Sequence, residues 1–149
     1  MYQHILVPTD GSELANKAVT EGTKLANALG SRLTILAVLV TIHVFPDYGP
    51  EGEEAAERAR REAQTFLEVE GKSRLDAALS VAKAAGVVAD ALWVDSPHPY
   101  EAIIDTAKTK GADLIVMASH GRSGVKAALL GSVTQKVLSH TQLPVLVVR

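Results

Sequence analysis

Five short apolar runs constrain what this chain can fold into. They are HILVP (4–8), RLTILAVLV (32–40), GVVADALWV (86–94), ADLIVMA (112–118) and LPVLVV (143–148). Each is rich in Val, Ile and Leu, and several are apolar on successive residues instead of alternating. A strand that is apolar on both faces must be covered on both, as in a parallel sheet flanked by helices.

The stretches between the runs carry helical patterns. Over 12–29, Ala15, Ala18, Val19, Gly22, Leu25, Ala26 and Leu29 fall on one face, and Gly30 supplies a C-terminal stop. Over 99–110, Pro99 suits a first helical turn, Tyr100, Ile103, Ile104 and Ala107 form the apolar stripe, and Gly111 ends it. Over 133–140, Val133, Val137 and Leu138 repeat the pattern, with Ser132 and Gln135 at capping-box spacing. Residues 53–85 also read as helix. A straight rod of that length runs about 50 Å, so a break near Gly71 or a projecting first half is expected. Residues 41–52 read as a long loop.

The resulting order is β-α-β-α-β-α-β-α-β in one domain over residues 1–149. Short connections and right-handed crossovers make it a doubly wound α/β fold, a five-stranded parallel sheet with helices on both faces. Ligands of such sheets sit beyond the carboxyl ends of the strands, where the winding reverses. With strand order 3-2-1-4-5, PTDGS (8–12) and the stretch that begins at MASHG (117–121) become neighbours there.

Composition narrows the function classes. A formal net charge of −2 with no basic cluster argues against nucleic acid or acidic lipid as partner. With no cysteine, disulfides, thiol chemistry and cysteine-held metals drop out. No run nears the ~20 apolar residues of a membrane span. MYQHILVPTDG lacks the basic start and apolar stretch of a secretory signal, so a cytoplasmic protein is expected. His4, His43, His98 and His140 show no metal-ligand spacing, and the charged run from Glu51 to Glu62 reads as a solvated helix face.

The second loop holds the clearest chemistry. Gly121 follows a strand, and Gly131-Ser132 opens a helix after nine intervening residues. Backbone N–H groups and the partial positive charge at a helix start suit an anion such as phosphate, with the Ser132 and Thr134 hydroxyls as further donors. GSVTQK lacks the Gly-Lys-Ser/Thr end of a Walker loop, and PTDGSELA is not a dinucleotide fingerprint. Blander roles fit the same residues. Asp10 suits a turn, Ser132 a helix cap, His120 a solvated loop, and Gly124 a tight turn. Arg122 and Lys126 are solvated or lean toward a terminal phosphate, and Trp93 suits the core or an interface.

PTDGS, HGRSG, LLGSV and PVLVVR together resemble the universal stress protein family over nearly the whole chain. The family's nucleotide motif is glycine, two residues, glycine, nine residues, glycine, then serine or threonine. Here Ala118 stands in place of the first glycine, followed by Gly121 and Gly131-Ser132. The resemblance implies a fold like that of the adenine nucleotide alpha hydrolases and a cytoplasmic stress-response role. It also implies a homodimer paired antiparallel through strand 143–148. One branch of the family binds ATP and another does not. In the ATP-binding branch, the matching positions for the nucleoside are Pro8, Thr9, Asp10 and Val38. Those for ribose and phosphates are Met117, Ala118, His120, Gly121, Gly131, Ser132, Val133 and Thr134. Mg²⁺ would bridge the phosphates. ATP-binding regulation is the favoured function. A nucleotide-free dimer acting through protein contacts and a slow ATPase stand beside it, the last without a visible nucleophile–base set.

Overall fold

The computed structural model describes residues 1–40, 52–122 and 130–149. The expected loop at 41–52 falls almost wholly outside these residues, as do Gly124, Lys126 and His43. Among the described residues nine elements alternate along the chain: β1 (His4–Thr9), α1 (Glu13–Leu29), β2 (Arg32–Leu39), α2 (Glu53–Ala84), β3 (Ala89–Asp95), α3 (Pro99–Lys110), β4 (Leu114–Ala118), α4 (Ser132–His140) and β5 (Val145–Val148).

The sheet runs β3-β2-β1-β4-β5, and each neighbouring pair is parallel. This is the 3-2-1-4-5 order, the one that makes the two loops neighbours. The register pairs Ile5 with Leu33 on one side and with Leu114 on the other. All of β4 is buried, and nearly all of β1, which is why their runs are apolar on successive residues. Ile5 and Val7 belong to a core on the α1 and α2 side, with Val19, Ile35, Leu75 and Val116. Leu6 belongs to the opposite core on the α3 and α4 side, with Leu36, Ile103, Ile115, Met117 and Val137. Each fully buried Leu or Ile side chain contributes roughly 1.5–3 kcal/mol before chain entropy is subtracted, so two covered faces are the main stabilising feature.

Helix ends follow the local chemistry. The Ser12 side chain caps α1 by accepting from the N–H of Ala15 at 3.2 Å. Gly30 and Gly111 end α1 and α3 in left-handed geometry that side chains disfavour. Within α1, Gly22 lies so close to β1 that a β-carbon would stand 2.6 Å from Val7.

Helix α2 departs from one of the two expectations. It runs without a break from Glu53 to Ala84, 32 residues, or about 48 Å. Gly71 is no hinge. It makes room for the ring of Trp93 on β3, whose Cγ would lie 2.7 Å from an added β-carbon. The buried positions of the helix begin only at Leu67, so its first half carries the solvated charged face.

Candidate functional site

The strand order sets the carboxyl ends of β1 and β4 side by side, and Asp10 ties the loops that leave them. Its Oδ1 accepts the N–H of Ser12 at 2.9 Å. Its Oδ2 accepts the N–H of Arg122, from the other loop, at 2.8 Å. Burial alone would raise the Asp10 carboxyl. The hydrogen bonds from the Ser12 side chain and backbone and from the Arg122 N–H, with the Arg122 charge, outweigh it and hold the group below its ordinary value. Asp10 therefore does organise a turn, and it also latches that turn to the second loop.

The motif glycines serve the same junction. A β-carbon on Gly121 would run into the Asp10 carboxylate. On Gly131 it would stand 3.0 Å from Cα of His120 and 3.3 Å from the carbonyl oxygen of Ser119. The Gly131 N–H donates to that same Ser119 carbonyl at 2.7 Å. The close approach these glycines permit is thus, in the first place, backbone against loop.

Two side-chain expectations need correction. Ser132 is not the cap of α4. Gly131 occupies that position with extended backbone, and no side chain among the described residues caps the helix. The first helical bond runs from the Gln135 N–H to the Gly131 carbonyl at 2.9 Å, so the capping box between Ser132 and Gln135 does not form. The Thr134 hydroxyl is not available to a ligand. It is buried and donates to the Ala118 carbonyl at 2.9 Å. By helix geometry the N–H groups of Ser132, Val133 and Thr134 have no partner within α4.

These loops enclose a cavity of about 660 Å³, within the range of small-ligand sites. All twelve sequence-derived positions line it. Pro8, Thr9 and Asp10 come from the end of β1 and its loop, and Val38 from β2. Met117, Ala118, His120 and Gly121 come from the end of β4 and its loop. Gly131 to Thr134 come from the start of α4. His120 is half-buried, with Nδ1 3.2 Å from the Ser119 hydroxyl. The structure adds Arg74 of α2, Arg122, and Ile103 of α3 to the lining. Ile103 reads from sequence as core only, and nothing in the sequence tells which turn of α2 reaches the loops. Arg122, which the sequence leaves open between water and phosphate, lies against Glu70. Among the described residues no group of three or more His, Asp or Glu side chains stands together as a metal site.

A sequence model of the universal stress protein family matches residues 1–149. The chain belongs to this family. It is 34% identical to the universal stress protein YxiE of Bacillus subtilis, with each chain covered in full. It is 31% identical to the universal stress protein MJ0577 of Methanocaldococcus jannaschii, covering all of this chain and 96% of that one. The solved structure of MJ0577 superposes with a TM-score of 0.81 at 30% identity, over 99% of this chain and 96% of that one. A universal stress protein solved in complex with cAMP matches at a TM-score of 0.72 and 27% identity, over 99% and 97% of the two chains. As a universal stress protein, the chain shares its five-stranded 3-2-1-4-5 sheet with structural neighbours of the family.

Proposed function

We propose that this universal stress protein binds ATP in the crevice between the β1 and β4 loops. It would act as a cytoplasmic regulatory module and a homodimer. The uncapped start of α4 carries the reading. Three N–H groups without helical partners open at the rim of a cavity of about 660 Å³. Donors that the helix itself leaves without partners and the helix dipole together favour a phosphate there. The related protein solved with cAMP supports an adenine nucleotide as ligand. Pro8, Thr9, Asp10 and Val38 would hold the nucleoside. Met117, Ala118, His120, Gly121 and the first turn of α4 would hold ribose and phosphates, with Thr134 contributing its N–H instead of its hydroxyl. Both oxygens of Asp10 are engaged by N–H groups, so Mg²⁺ would be held by the phosphates. The same engagement leaves Asp10 poorly placed to activate water, which favours nucleotide binding over turnover.

Ser132→Asp tests this without threatening the fold. A carboxylate in the first turn favours the helix by about 0.3–1 kcal/mol, yet it repels phosphate. Titration calorimetry should show ATP affinity down at least about tenfold, with the melting temperature unchanged or raised. Equal ATP affinity in parent and variant would remove α4 from the phosphate site. ATP released from the purified, denatured parent protein is the companion measurement.

A further inference from the structure

Two arginines of the crevice wall, from different elements, converge on one carboxylate that lies behind its lining. Arg74 of α2 lays its stem over the β1 loop, with Cγ 3.3 Å from the β-carbon position of Gly11. Its Nε donates to Oε1 of Glu70 at 3.0 Å, and its Nη2 lies 2.9 Å from the same oxygen. Arg122 arrives from the β4 loop. Its Nη2 stands 3.6 Å from that same Gly11 position, and its Nη1 lies 3.7 Å from Oε1 of Glu70. Both arginines line the cavity. Each guanidinium offers five N–H donors. The contacts to Glu70 use only Nε and Nη2 of one and Nη1 of the other.

Glu70 does here what an anionic ligand would do. The Arg74 side chain is only 15% exposed, so its charge needs a partner, and Glu70 at 31% has a route to water. With Glu70 and Asp10 ionised, the four side chains sum to zero. The arginine pair then has little pull on a weakly charged ligand. A chain of phosphates carries enough charge to replace Glu70, and guanidinium forks match phosphate oxygens in geometry.

We propose that Arg74 and Arg122 form a clamp for the terminal phosphates of a nucleotide, with Glu70 as the internal anion that occupies the clamp until a di- or triphosphate displaces it. The clamp rests on the reading of the crevice as a nucleotide site, and it makes that site selective for polyphosphate over monophosphate.

The test is titration calorimetry of ATP, AMP and inorganic tripolyphosphate into the parent, Arg74→Gln, Arg122→Gln, Glu70→Gln and the double variant Glu70→Gln/Arg74→Gln. Either arginine variant should lose about tenfold in ATP affinity while AMP affinity stays within about twofold. Glu70→Gln should gain severalfold for ATP and tripolyphosphate and little for AMP. The double variant removes the buried Arg74 together with Glu70 and leaves only the exposed Arg122 without that partner, so it keeps the fold, checked by circular dichroism, and should still lose the preference for ATP. If the parent binds ATP and AMP and their ratio is the same in every variant, the nucleotide site stands and the clamp is wrong. If tripolyphosphate binds through the arginines but ATP does not, the clamp stands and the nucleotide reading fails. If the parent binds neither ATP nor tripolyphosphate, both fail.

Discussion

A β-carbon at Gly121 has nowhere to go but into the Asp10 carboxylate, and this contact explains the residue better than backbone freedom does. Among the described residues the left-handed glycines are Gly11, Gly30, Gly86 and Gly111; Gly121 is not one of them. Gly121→Ala should therefore push Asp10 off the Arg122 N–H. A hydrogen bond to a charged group is worth about 1.5–3 kcal/mol, part of which water restores at this rim, so a loss of about 1–2 kcal/mol is expected. Asp10→Asn should cost a similar amount, since the amide keeps one acceptor where two N–H groups need two. The double variant should cost little more than either single one, because both break the same latch. The pH dependence distinguishes the two. The Asp10 carboxyl is held below its ordinary value in the fold, so its ionised form stabilises the protein at neutral pH. That contribution is present above the unfolded value and is lost as pH falls through the lower folded one. Urea midpoints of parent and Asp10→Asn should therefore converge below about pH 4. A constant gap down to pH 3 would mean that the latch is not ionic.

At the scale of elements, local rules and tertiary contacts separate cleanly. Strands β1, β2 and β4 were legible because burial on both faces leaves an unbroken apolar run, and α1 and α3 because a glycine follows each. The start of α4 lies one residue before the place its side-chain chemistry suggests. Ser132 has a capping side chain, but the extended backbone and the bond to Ser119 both belong to Gly131. Helix α2 was harder still. A glycine in a charged helix reads as a weak point, while the ring that fills its place lies on a strand 22 positions later in the sequence. The same blindness hid Arg74 and Glu70, since no periodicity says which turn of α2 meets the β1 loop. Gly71→Ala brings the point to a measurement. Propensity alone favours alanine inside a helix by about 1 kcal/mol. With Trp93 Cγ 2.7 Å from the new methyl, the substitution should instead lower the melting temperature by a few degrees, the shift of about 1–2 kcal/mol in a domain of this size. The chain has one tryptophan, so its fluorescence should shift as the ring is displaced. A stabilised variant with unchanged emission would show that the contact is loose.

At the scale of the whole molecule, the sheet has two edges, and β5 is one of them. The hydrogen-bond pattern says which of its backbone groups face outward. The Pro144 carbonyl accepts from Ile115 and the Val148 carbonyl accepts from Ser119. Alternation along a parallel ladder then turns the N–H and C=O groups of Val145 and Val147 away from β4. An edge of this kind, with Leu146 44% exposed beside it, is a template for another strand unless something covers it. In the proposed homodimer, the covering element is the same strand of a second copy, running antiparallel about a two-fold axis. Val147→Pro isolates that claim. Proline removes an outward N–H and leaves the ladder to β4 intact, which is where sheets tolerate it. The folded monomer should therefore survive, with unchanged circular dichroism and a bound-nucleotide stoichiometry equal to the parent's. Light scattering at micromolar concentration should give a dimer mass for the parent and a monomer mass for the variant. Val147→Lys should act in the same direction by placing a charge at the seam. A monomeric parent would overturn the homodimer, and a Val147→Pro protein that keeps the dimer mass would move the interface off β5. The crevice lies at the carboxyl ends of the strands, so pairing along the outer flank of β5 would leave its mouth open. ATP affinity is accordingly expected to stay within about twofold between the dimeric parent and the monomeric variant.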